Sequence, residues 1–374
     1  MKTLKTYRKT WAEVDLGNIA YNFKQIKKKV GPQVKILAAV KANAYGHGLV
    51  TVSRELEKSE IDFLGTSSVD EAINLRRAHL KCPILNLSNL LINEIEPIIK
   101  FKITPVIAEI KIARALNKKA RAYHRKIPIH VKIDTGMGRI GVWHKEAGSF
   151  IKKLKSLSNL ITEGVYTHFP SAEEDKDFTF EQIKRFNLVV EKMKSFGIWP
   201  KYLHTANSAA LIIHKEAHFN LVRPGLALYG IYPNSKFQAE LNLKPALSLK
   251  TRIAYMKGAS KGRSISYART FFIKRATRIA TLPIGYADGY SQLLSNKSRV
   301  LIRGKFYPIV GRVCMDQTMV DVGLKDNIKV GDEVVLIGSQ KGRTIKVEEL
   351  ARICHTIPYQ VLCWISSRVP RVYR

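Results

Sequence analysis

A lysine ends the first long apolar run of the chain and is followed by a glycine-punctuated loop. The segment VKANAYGHG covers residues 40–48, and the apolar run that precedes it stops at Lys41. A partly desolvated lysine has a lowered pKa and forms an imine with a carbonyl group. An isolated lysine at a strand end more often reaches into solvent. The neighbouring NAYGHG loop favours a lysine that holds a carbonyl cofactor.

Further polar segments follow other apolar runs. The segment VKIDTGMGRIG, residues 131–141, leads through a glycine-rich loop to Arg139, which could hold an anionic oxygen. Three more runs end at Thr167-His168-Phe169, Ala206-Asn207-Ser208 and Val222-Arg223-Pro224-Gly225. Ser208 at a helix start, with the backbone amides of Gly225 and Leu226, would suit a phosphate. Each residue alone could be a helix cap or a buried structural side chain, but their combination favours an anion site.

An alternation of apolar runs and amphipathic stretches must position these segments. It extends from about residue 12 to 235, with helical spacing over Val69–His79 and Phe180–Phe196. The predicted strands are Lys35–Lys41, Asp62–Thr66, Pro83–Leu87, Thr104–Ile107, Ile127–Ile133, Gly164–His168, Tyr202–Thr205 and Asn220–Val222. Roughly eight such units predict an α/β fold of the (β/α)₈ barrel type, whose active site lies at the carboxyl ends of the strands. A doubly wound open sheet would show a similar alternation.

The pattern changes after about Leu241. The runs Leu247–Met256, Arg278–Leu282, Arg299–Ile302, Met319–Val322 and Glu333–Ile337 are β-rich, with glycines between them and few helical patterns. We therefore predict a barrel domain over residues 1–240 and a β-rich domain over residues 241–374. Tyr267, in SISYA, and Cys314, beside Asp316, have no role that composition alone assigns.

The charge of the chain is unusual for its length of 374 residues. Lys and Arg number 63 against 30 Asp and Glu, a net charge of +33. Such a charge attracts polyanions, but the basic residues are dispersed and not interleaved with aromatic side chains. We interpret the excess as a compositional bias and expect no dedicated nucleic-acid partner.

Other compositional features set the class of protein. No apolar run is long enough to cross a bilayer, and the start MKTLKTYRKTW lacks the apolar segment of a secretory signal. The four cysteines are scattered without metal-ligand spacing, which indicates reduced thiols and no metal site. We expect a cytoplasmic protein.

Taken together, the motifs resemble the alanine racemase family, whose members are fold-type III pyridoxal-phosphate enzymes. The motifs that carry the resemblance are WAEVDL, VKANAYGHG, DTGMGR, THF, NSA, VRPG, SYA, IGYADGY, VCMD, IPY and RVPRVY, which extend over residues 11–373. The resemblance implies a (β/α)₈ barrel followed by a mostly β domain. It also implies pyridoxal 5′-phosphate as cofactor and the interconversion of L- and D-alanine for peptidoglycan synthesis. Finally, it implies a homodimer in which the partner's β-rich domain completes each active site.

The resemblance also implies roles for individual residues. Lys41 would hold the cofactor and act as the base for D-alanine, and Tyr267 of the partner subunit would be the base for L-alanine. Arg223 would face the pyridine nitrogen, with His168 linking it toward Tyr267. The remaining implied roles are cofactor binding for Tyr45, Asn207, Ser208, Tyr359 and the backbone amides of Gly225 and Leu226; contact with the ring hydroxyl and the substrate for Arg139; substrate carboxylate binding for the backbone amide of the partner's Met315; access to the site for Tyr286; and carbamylation for Lys132.

Departures from the family pattern are few, and some alternatives remain open. Ala268 stands where glycine is usual, Gln360 stands where an acidic residue is common, and Pro224 lies in a loop that varies. A fold-type III decarboxylase would pair the ring nitrogen with an acidic residue, so Arg223 argues against it. A racemase of broad specificity or one for serine stays open, since a small apolar pocket separates such substrates by only about 1–3 kcal/mol. A pyridoxal-phosphate homeostasis protein would lack the β-rich domain, and a nucleic-acid-binding protein is supported by charge alone.

Overall fold

The computed structural model describes residues 7–374. Residues 1–6, on which part of the expectation about a secretory signal depends, lie outside the described residues. The chain forms two compact units. The barrel unit consists of Asn18–Ala44 and Leu49–Lys244, and the β-rich unit consists of the described residues up to Gly17 with Tyr45–Gly48 and Pro245–Arg374. A single domain boundary between residues 240 and 241 remains a prediction.

The barrel unit contains eight parallel strands in a nearly closed barrel, which confirms the predicted fold class. In spatial order the strands are Leu221–Val222, Lys35–Ala39, Phe63–Thr66, Ile84–Asn86, Thr104–Ile107, Ile127–Asp134, Leu160–Tyr166 and Tyr202–His204. The first and last strands of this order meet through a hydrogen bond from Arg223 N to Ala206 O at 3.0 Å. This closure excludes the open doubly wound sheet that periodicity had allowed.

Helices follow most of these strands. They are Leu49–Lys58, Val69–Arg77, Ile95–Lys100, Ile110–Ala122, Ala147–Lys155, Lys176–Ser195 and Ser208–Ile213, and a further helix, Leu16–Val30, precedes the strand Lys35–Ala39. The helix predicted from Phe180 begins four residues earlier because Asp175 caps it, accepting a hydrogen bond from Phe178 N at 2.9 Å. Apolar side chains of neighbouring strands fill the interior, with Leu37, Phe63, Leu85, Val106, Tyr166 and Leu221 in one buried cluster. Burying each such side chain contributes about 1.5–3 kcal/mol.

The β-rich unit is built on a seven-stranded sheet. Its strands are Lys305–Pro308, Arg299–Ile302, Glu333–Gln340, Leu247–Arg252, Trp11–Val14 and Arg371–Tyr373, with Arg343–Ile345 paired to Glu333–Gln340. A three-stranded sheet contains Tyr255–Ala259, Thr277–Leu282 and Thr318–Asp321, and Ser264–Ile265 pairs with Phe271–Phe272. The helices of this unit are Val347–Ile353 and Pro358–Trp364.

One β-rich run of this unit is divided between two strands. The run Leu247–Met256 is two strands in different sheets, because the chain leaves the first sheet at Ile253 and Ala254. Ile253 N donates to Asp332 O and Ala254 N donates to Thr281 O, so the backbone changes partners between them. Among residues 7–374, no helix is long and apolar enough to cross a membrane.

Candidate active site

Lys41 begins a left-handed turn just beyond the strand Lys35–Ala39. The next four residues, Ala42, Asn43, Ala44 and Tyr45, have φ angles of 52°, 54°, 53° and 52°. This conformation costs roughly 1–2 kcal/mol per non-glycine residue and concentrates at functional sites. Asn43 Oδ1 supports the turn by accepting a hydrogen bond from Leu49 N at 2.8 Å. The turn thereby fixes the backbone from which the half-buried Lys41 side chain projects.

The loop that carries Arg139 is organised by Asp134, which ends the strand Ile127–Asp134. The Asp134 carboxylate accepts hydrogen bonds from the amides of Gly136, Met137 and Gly138 at 2.9, 2.9 and 3.0 Å. These bonds wrap the glycine-rich segment around one acidic side chain and leave Arg139 exposed at the end of the loop. The DTGMGR motif thus contains its own organising residue, which the sequence analysis did not single out.

Arg223 is buried and forms several hydrogen bonds. Its Nη2 donates to the carbonyl oxygens of Thr167 and Thr205 at 2.7 and 3.0 Å, and lies 3.3 Å from His168 Nδ1. Its Nη1 lies 3.1 Å from His204 Nδ1. Burial lowers the pKa of Arg223 to about 10, which leaves the guanidinium charged near neutral pH. Through these hydrogen bonds the Arg223 guanidinium connects the three strand ends that were predicted to carry polar residues.

Positive charge accumulates around His168. Burial lowers the pKa of His168 well below its usual value, and the charges of Lys132, Arg223, Arg139 and Lys41 lower it further. His168 is therefore neutral near pH 7. Since Arg223 can only donate, Nδ1 of His168 accepts and its proton lies on Nε2. Arg223, Arg139 and Lys41, with the basic group of Lys132 beside them, surround one neutral histidine and favour an anionic ligand.

Lys132 is buried within this charged environment. Its Nζ lies 4.3 Å from the ring centroid of Tyr166, and Cζ of Arg223 lies 5.1 Å from the same centroid. Burial lowers the pKa of Lys132 well below its usual value, and the charges of Arg223 and Arg139 add to the effect. Lys132 is the predicted carbamylation site, and a neutral amine is the form that such chemistry requires.

The residues that we predicted to bind the phosphate lie close together at two other strand ends. Ser208 Oγ accepts hydrogen bonds from Gly225 N at 2.9 Å and from Ala227 N at 3.3 Å, on either side of Leu226. Asn207 acts here as a helix cap, accepting from Ala210 N at 3.0 Å. A hydroxyl group therefore lies beside the start of the short helix Leu226–Tyr229.

Two predicted cofactor residues, Tyr45 and Tyr359, belong to the β-rich unit. Their ring centroids are 5.8 Å apart. Burial raises the pKa of Tyr45, so its hydroxyl stays protonated and can donate a hydrogen bond. Tyr359 lies in the first turn of the helix Pro358–Trp364, which begins at a proline as helices often do.

Three other predicted residues, Tyr267, Tyr286 and Met315, lie on connected loops of the β-rich unit. Their exposed fractions are 70%, 43% and 53%. Tyr286 N donates to Cys314 O at 3.0 Å, and Ala287 N donates to Met315 O at 3.1 Å. Ser266, next to Tyr267, donates through Oγ to Arg312 O at 2.6 Å. The three loops thus form one assembly with large exposed side chains.

A fully buried carboxylate anchors this assembly. Asp288 accepts from Gly285 N at 3.1 Å and pairs with Arg8 and with Arg368, whose Nε is 3.5 Å away. Arg368 also pairs with Asp316, with 2.6 Å between Nη2 and Oδ1. The aspartates of IGYADGY and VCMD and the first arginine of RVPRVY are therefore joined by ion pairs.

Comparison with known proteins identifies the family. The family model described as the alanine racemase N-terminal domain matches residues 14–233, and that of the alanine racemase C-terminal domain matches residues 246–373. The chain belongs to the alanine racemase family. It is therefore an isomerase, and the family predicted from the motifs is confirmed.

Individual alanine racemases match over nearly their whole length. The alanine racemase of Halothermothrix orenii is 44% identical over 98% of this chain and 97% of its own. The solved alanine racemase of Clostridium difficile 630 has a TM-score of 0.93 and 38% identity, with 99% of this chain and 97% of that chain covered. The alanine racemase of Bartonella henselae, solved with covalently bound pyridoxal phosphate, has a TM-score of 0.88 and 26% identity, covering 98% and 99% of the two chains.

One departure from the alanine racemase pattern has a visible structural consequence. Ala268 stands where glycine is usual, and its φ is 56°, between Ser266 at 66° and Arg269 at 49°. Glycine adopts such angles without steric cost, whereas alanine does not. The loop that carries Tyr267 therefore contains backbone strain that the usual residue would relieve.

A group of residues that contact the predicted site was not predicted from the sequence. These residues are His130, Asp134, Glu163, Tyr166 and His204. A usable signal was present for some of them, because His130, Lys132 and Asp134 alternate with apolar residues along one strand and so share one face. Polar residues on the inward face of a barrel strand are expected to have partners.

Proposed function

We propose that this protein interconverts L- and D-alanine with pyridoxal 5′-phosphate held by Lys41. The observation that carries the proposal is the group of basic side chains that act on His168, namely Lys41, Lys132, Arg139 and the buried cation Arg223. An anionic aldehyde cofactor needs an amine, cationic partners and hydrogen-bond donors, and the donor chemistry of these residues fits it. When bound, pyridoxal phosphate supplies the electron sink that makes the α-proton of an amino acid acidic.

Racemisation requires that a proton leave one face of the α-carbon and return to the other. In our proposal Lys41 Nζ moves the proton on the D face, and the phenol of the partner's Tyr267 moves it on the L face. Arg223 would orient the cofactor by donating to the ring nitrogen. Since an arginine does not readily give up its proton, it would leave that nitrogen unprotonated and so disfavour transamination.

The other roles are proposed from the family resemblance. Tyr45, Asn207, Ser208, Gly225, Leu226 and Tyr359 would bind the cofactor, Arg139 would contact cofactor and substrate, and Tyr286 would control access. A homodimer is supported by Tyr267, the proposed base, and by Met315, whose backbone amide would bind the substrate carboxylate; the two residues are 70% and 53% exposed in a single chain. Reaction groups so exposed need a second surface to hold a substrate against them. Supply of D-alanine for peptidoglycan in the cytoplasm completes the proposal.

The decisive experiment is chiral chromatography of L-alanine incubated with the purified protein and pyridoxal phosphate, with L-serine in parallel. We expect D-alanine to form much faster than D-serine. Equal rates would indicate a racemase of broad specificity. If the cofactor binds and neither D-amino acid forms, the proposal fails, and loss of carbon dioxide from the amino acid would then indicate a decarboxylase.

A further inference from the structure

A series of side chains leads from Arg223 through the interior of the barrel unit. Arg223 Nη1 lies 3.1 Å from His204 Nδ1, and His204 Nε2 lies 2.8 Å from His130 Nδ1. His130 Nε2 lies 3.6 Å from Oε2 of Glu163. Both histidines are fully buried, whereas the Glu163 side chain is 27% exposed. The series therefore connects a buried arginine with a carboxylate that reaches solvent.

The donors and acceptors in this series determine which ring nitrogen of each histidine carries the proton. Because Arg223 can only donate, His204 Nδ1 accepts and the His204 proton lies on Nε2. His204 Nε2 then donates to His130 Nδ1, which leaves the His130 proton on Nε2, facing Glu163. Burial lowers the pKa of both histidines, so each carries a single ring proton near pH 7. At 3.6 Å the carboxylate is beyond direct hydrogen-bond length and acts mainly through its charge.

A β-bulge and a glycine lie where Glu163 approaches His130. Ile129 pairs with Thr162 and His130 pairs with Gly164, so Glu163 is the extra residue of a β-bulge. A bulge changes the direction of a side chain and is frequent next to active sites. Gly164 leaves room for the imidazole, since a Cβ at this position would lie 2.5 Å from the His130 ring.

We propose that His204, His130 and Glu163 form a histidine relay that positions Arg223. The charge of Glu163 selects the His130 proton on Nε2, which selects the His204 tautomer that accepts from the guanidinium. Without that charge, His130 can hold its proton on Nδ1, and His204 then presents an N–H group to Arg223. Two donors would face each other, and the guanidinium would lose its fixed orientation. The predicted effect on catalysis depends on the proposed function, whereas the predicted tautomers do not.

The first test is spectroscopic and uses Glu163→Gln with Glu191→Gln as control. Glu191 is 68% exposed and lies on the helix Lys176–Ser195, so its substitution removes the same charge away from the relay. Nitrogen-15 spectra of histidine-labelled protein loaded with pyridoxal phosphate distinguish protonated from unprotonated ring nitrogens. We expect the His204 and His130 signals to change in Glu163→Gln only. Unchanged tautomers in that variant would overturn the relay.

The second test separates kcat from KM for alanine. We expect Glu163→Gln to lower kcat about 3- to 10-fold with little change in KM, because Arg223 is less well held while the substrate contacts remain. In a His130→Phe background the same substitution should have no further effect, since the relay is already broken. Fully additive losses would contradict the relay. If the wild-type protein does not racemise alanine, the proposed function fails, and the spectra still decide on the relay.

Discussion

At the scale of single residues, the chemistry of the candidate site depends on which buried groups are charged. Arg223 remains a cation with a pKa of about 10, whereas burial and neighbouring charges keep His168 neutral. Lys132 is held toward its neutral form by the same environment. Of these three groups, Arg223 supplies the permanent charge, His168 is neutral, and Lys132 has a lowered pKa.

The lowered pKa of Lys132 leads to a prediction about carbon dioxide. Its amine should add to CO₂ through a new N–C bond and release one proton, which gives a carbamate whose negative charge is stabilised by Arg139 and Arg223. We expect protein equilibrated with ¹³C-bicarbonate to show a carbamate resonance in its carbon NMR spectrum. The resonance should be absent from Lys132→Ala and present in the control Lys152→Ala, which removes an exposed helical lysine. A resonance that persists in Lys132→Ala would place the modification elsewhere.

The proposed assignment of Lys41 to D-alanine and of Tyr267 to L-alanine leads to a second prediction. Tyr267→Phe removes the phenolic oxygen, so exchange of the α-proton of L-alanine with deuterated solvent should fall by about 10²- to 10⁴-fold. Exchange of the D-alanine α-proton, assigned to Lys41, should fall much less. Tyr255→Phe is the matched control, because Tyr255 is 57% exposed in the same unit. Equal loss of exchange for both enantiomers in Tyr267→Phe would contradict the assignment.

At the scale of secondary-structure elements, sequence patterns predicted the strands whose bounds depend on neighbouring residues. The strands Thr104–Ile107 and Arg299–Ile302 agree with the prediction at both ends, because short apolar runs bounded by polar residues determine them. The strand at Leu160–Tyr166 was predicted four residues too late, at Gly164, since Thr162 and Glu163 interrupt its apolar pattern. The bulge at Glu163 accounts for that interruption.

Pairings between distant segments could not be predicted in this way. The strand Trp11–Val14 pairs with Arg371–Tyr373, and no local periodicity encodes a partner so far along the chain. The family motifs predicted individual residues of the candidate site, but not the residues that contact them from behind. The contacts of Arg223 with His204 and of His204 with His130 depend on barrel closure, which brings three separate strands together. The left-handed turn at Lys41 was likewise unexpected, since Ala42, Asn43 and Ala44 have no glycine among them.

Strain in the Tyr267 loop gives a prediction at this scale. Ala268→Gly should raise the free energy of unfolding by about 0.5–1 kcal/mol, because relief of the left-handed alanine exceeds the extra chain entropy of glycine. The midpoint of urea unfolding measures this change. Ala276→Gly is the control, since Ala276 is exposed in the same unit and its φ is not positive. The strain assignment would be wrong if Ala268→Gly lowered the midpoint as much as the control does.

At the scale of the whole molecule, the net charge of +33 is carried mainly by solvated side chains. Lys27 and Lys28, Lys118, and Lys152 and Lys153 are exposed on the outer faces of three helices. Exposed cations of this kind attract polyanions in a way that salt screens. The charge that matters for the proposed chemistry is the smaller buried group around Arg223.

The proposed sharing of active sites between two subunits can be tested by mixing inactive variants. Lys41→Ala should lose attachment of the cofactor, and Tyr267→Phe should lose the base for L-alanine. If each site takes Lys41 from one subunit and Tyr267 from the other, a hybrid dimer contains one complete site and one site with both defects. Random reassociation makes half of the dimers hybrid, so the mixture should recover about a quarter of wild-type activity.

The double variant, Lys41→Ala with Tyr267→Phe in one chain, provides the control for this experiment. Mixed with Lys41→Ala, it cannot form a complete site in any combination, so racemase activity should stay at the level of the separate variants. The two mixtures differ only in whether Lys41 and Tyr267 are both available from different chains. Recovery in the first mixture alone would establish that the residues of one site come from two subunits. If the first mixture shows only the average activity of its components, each site is complete within one chain and the shared-site proposal is wrong.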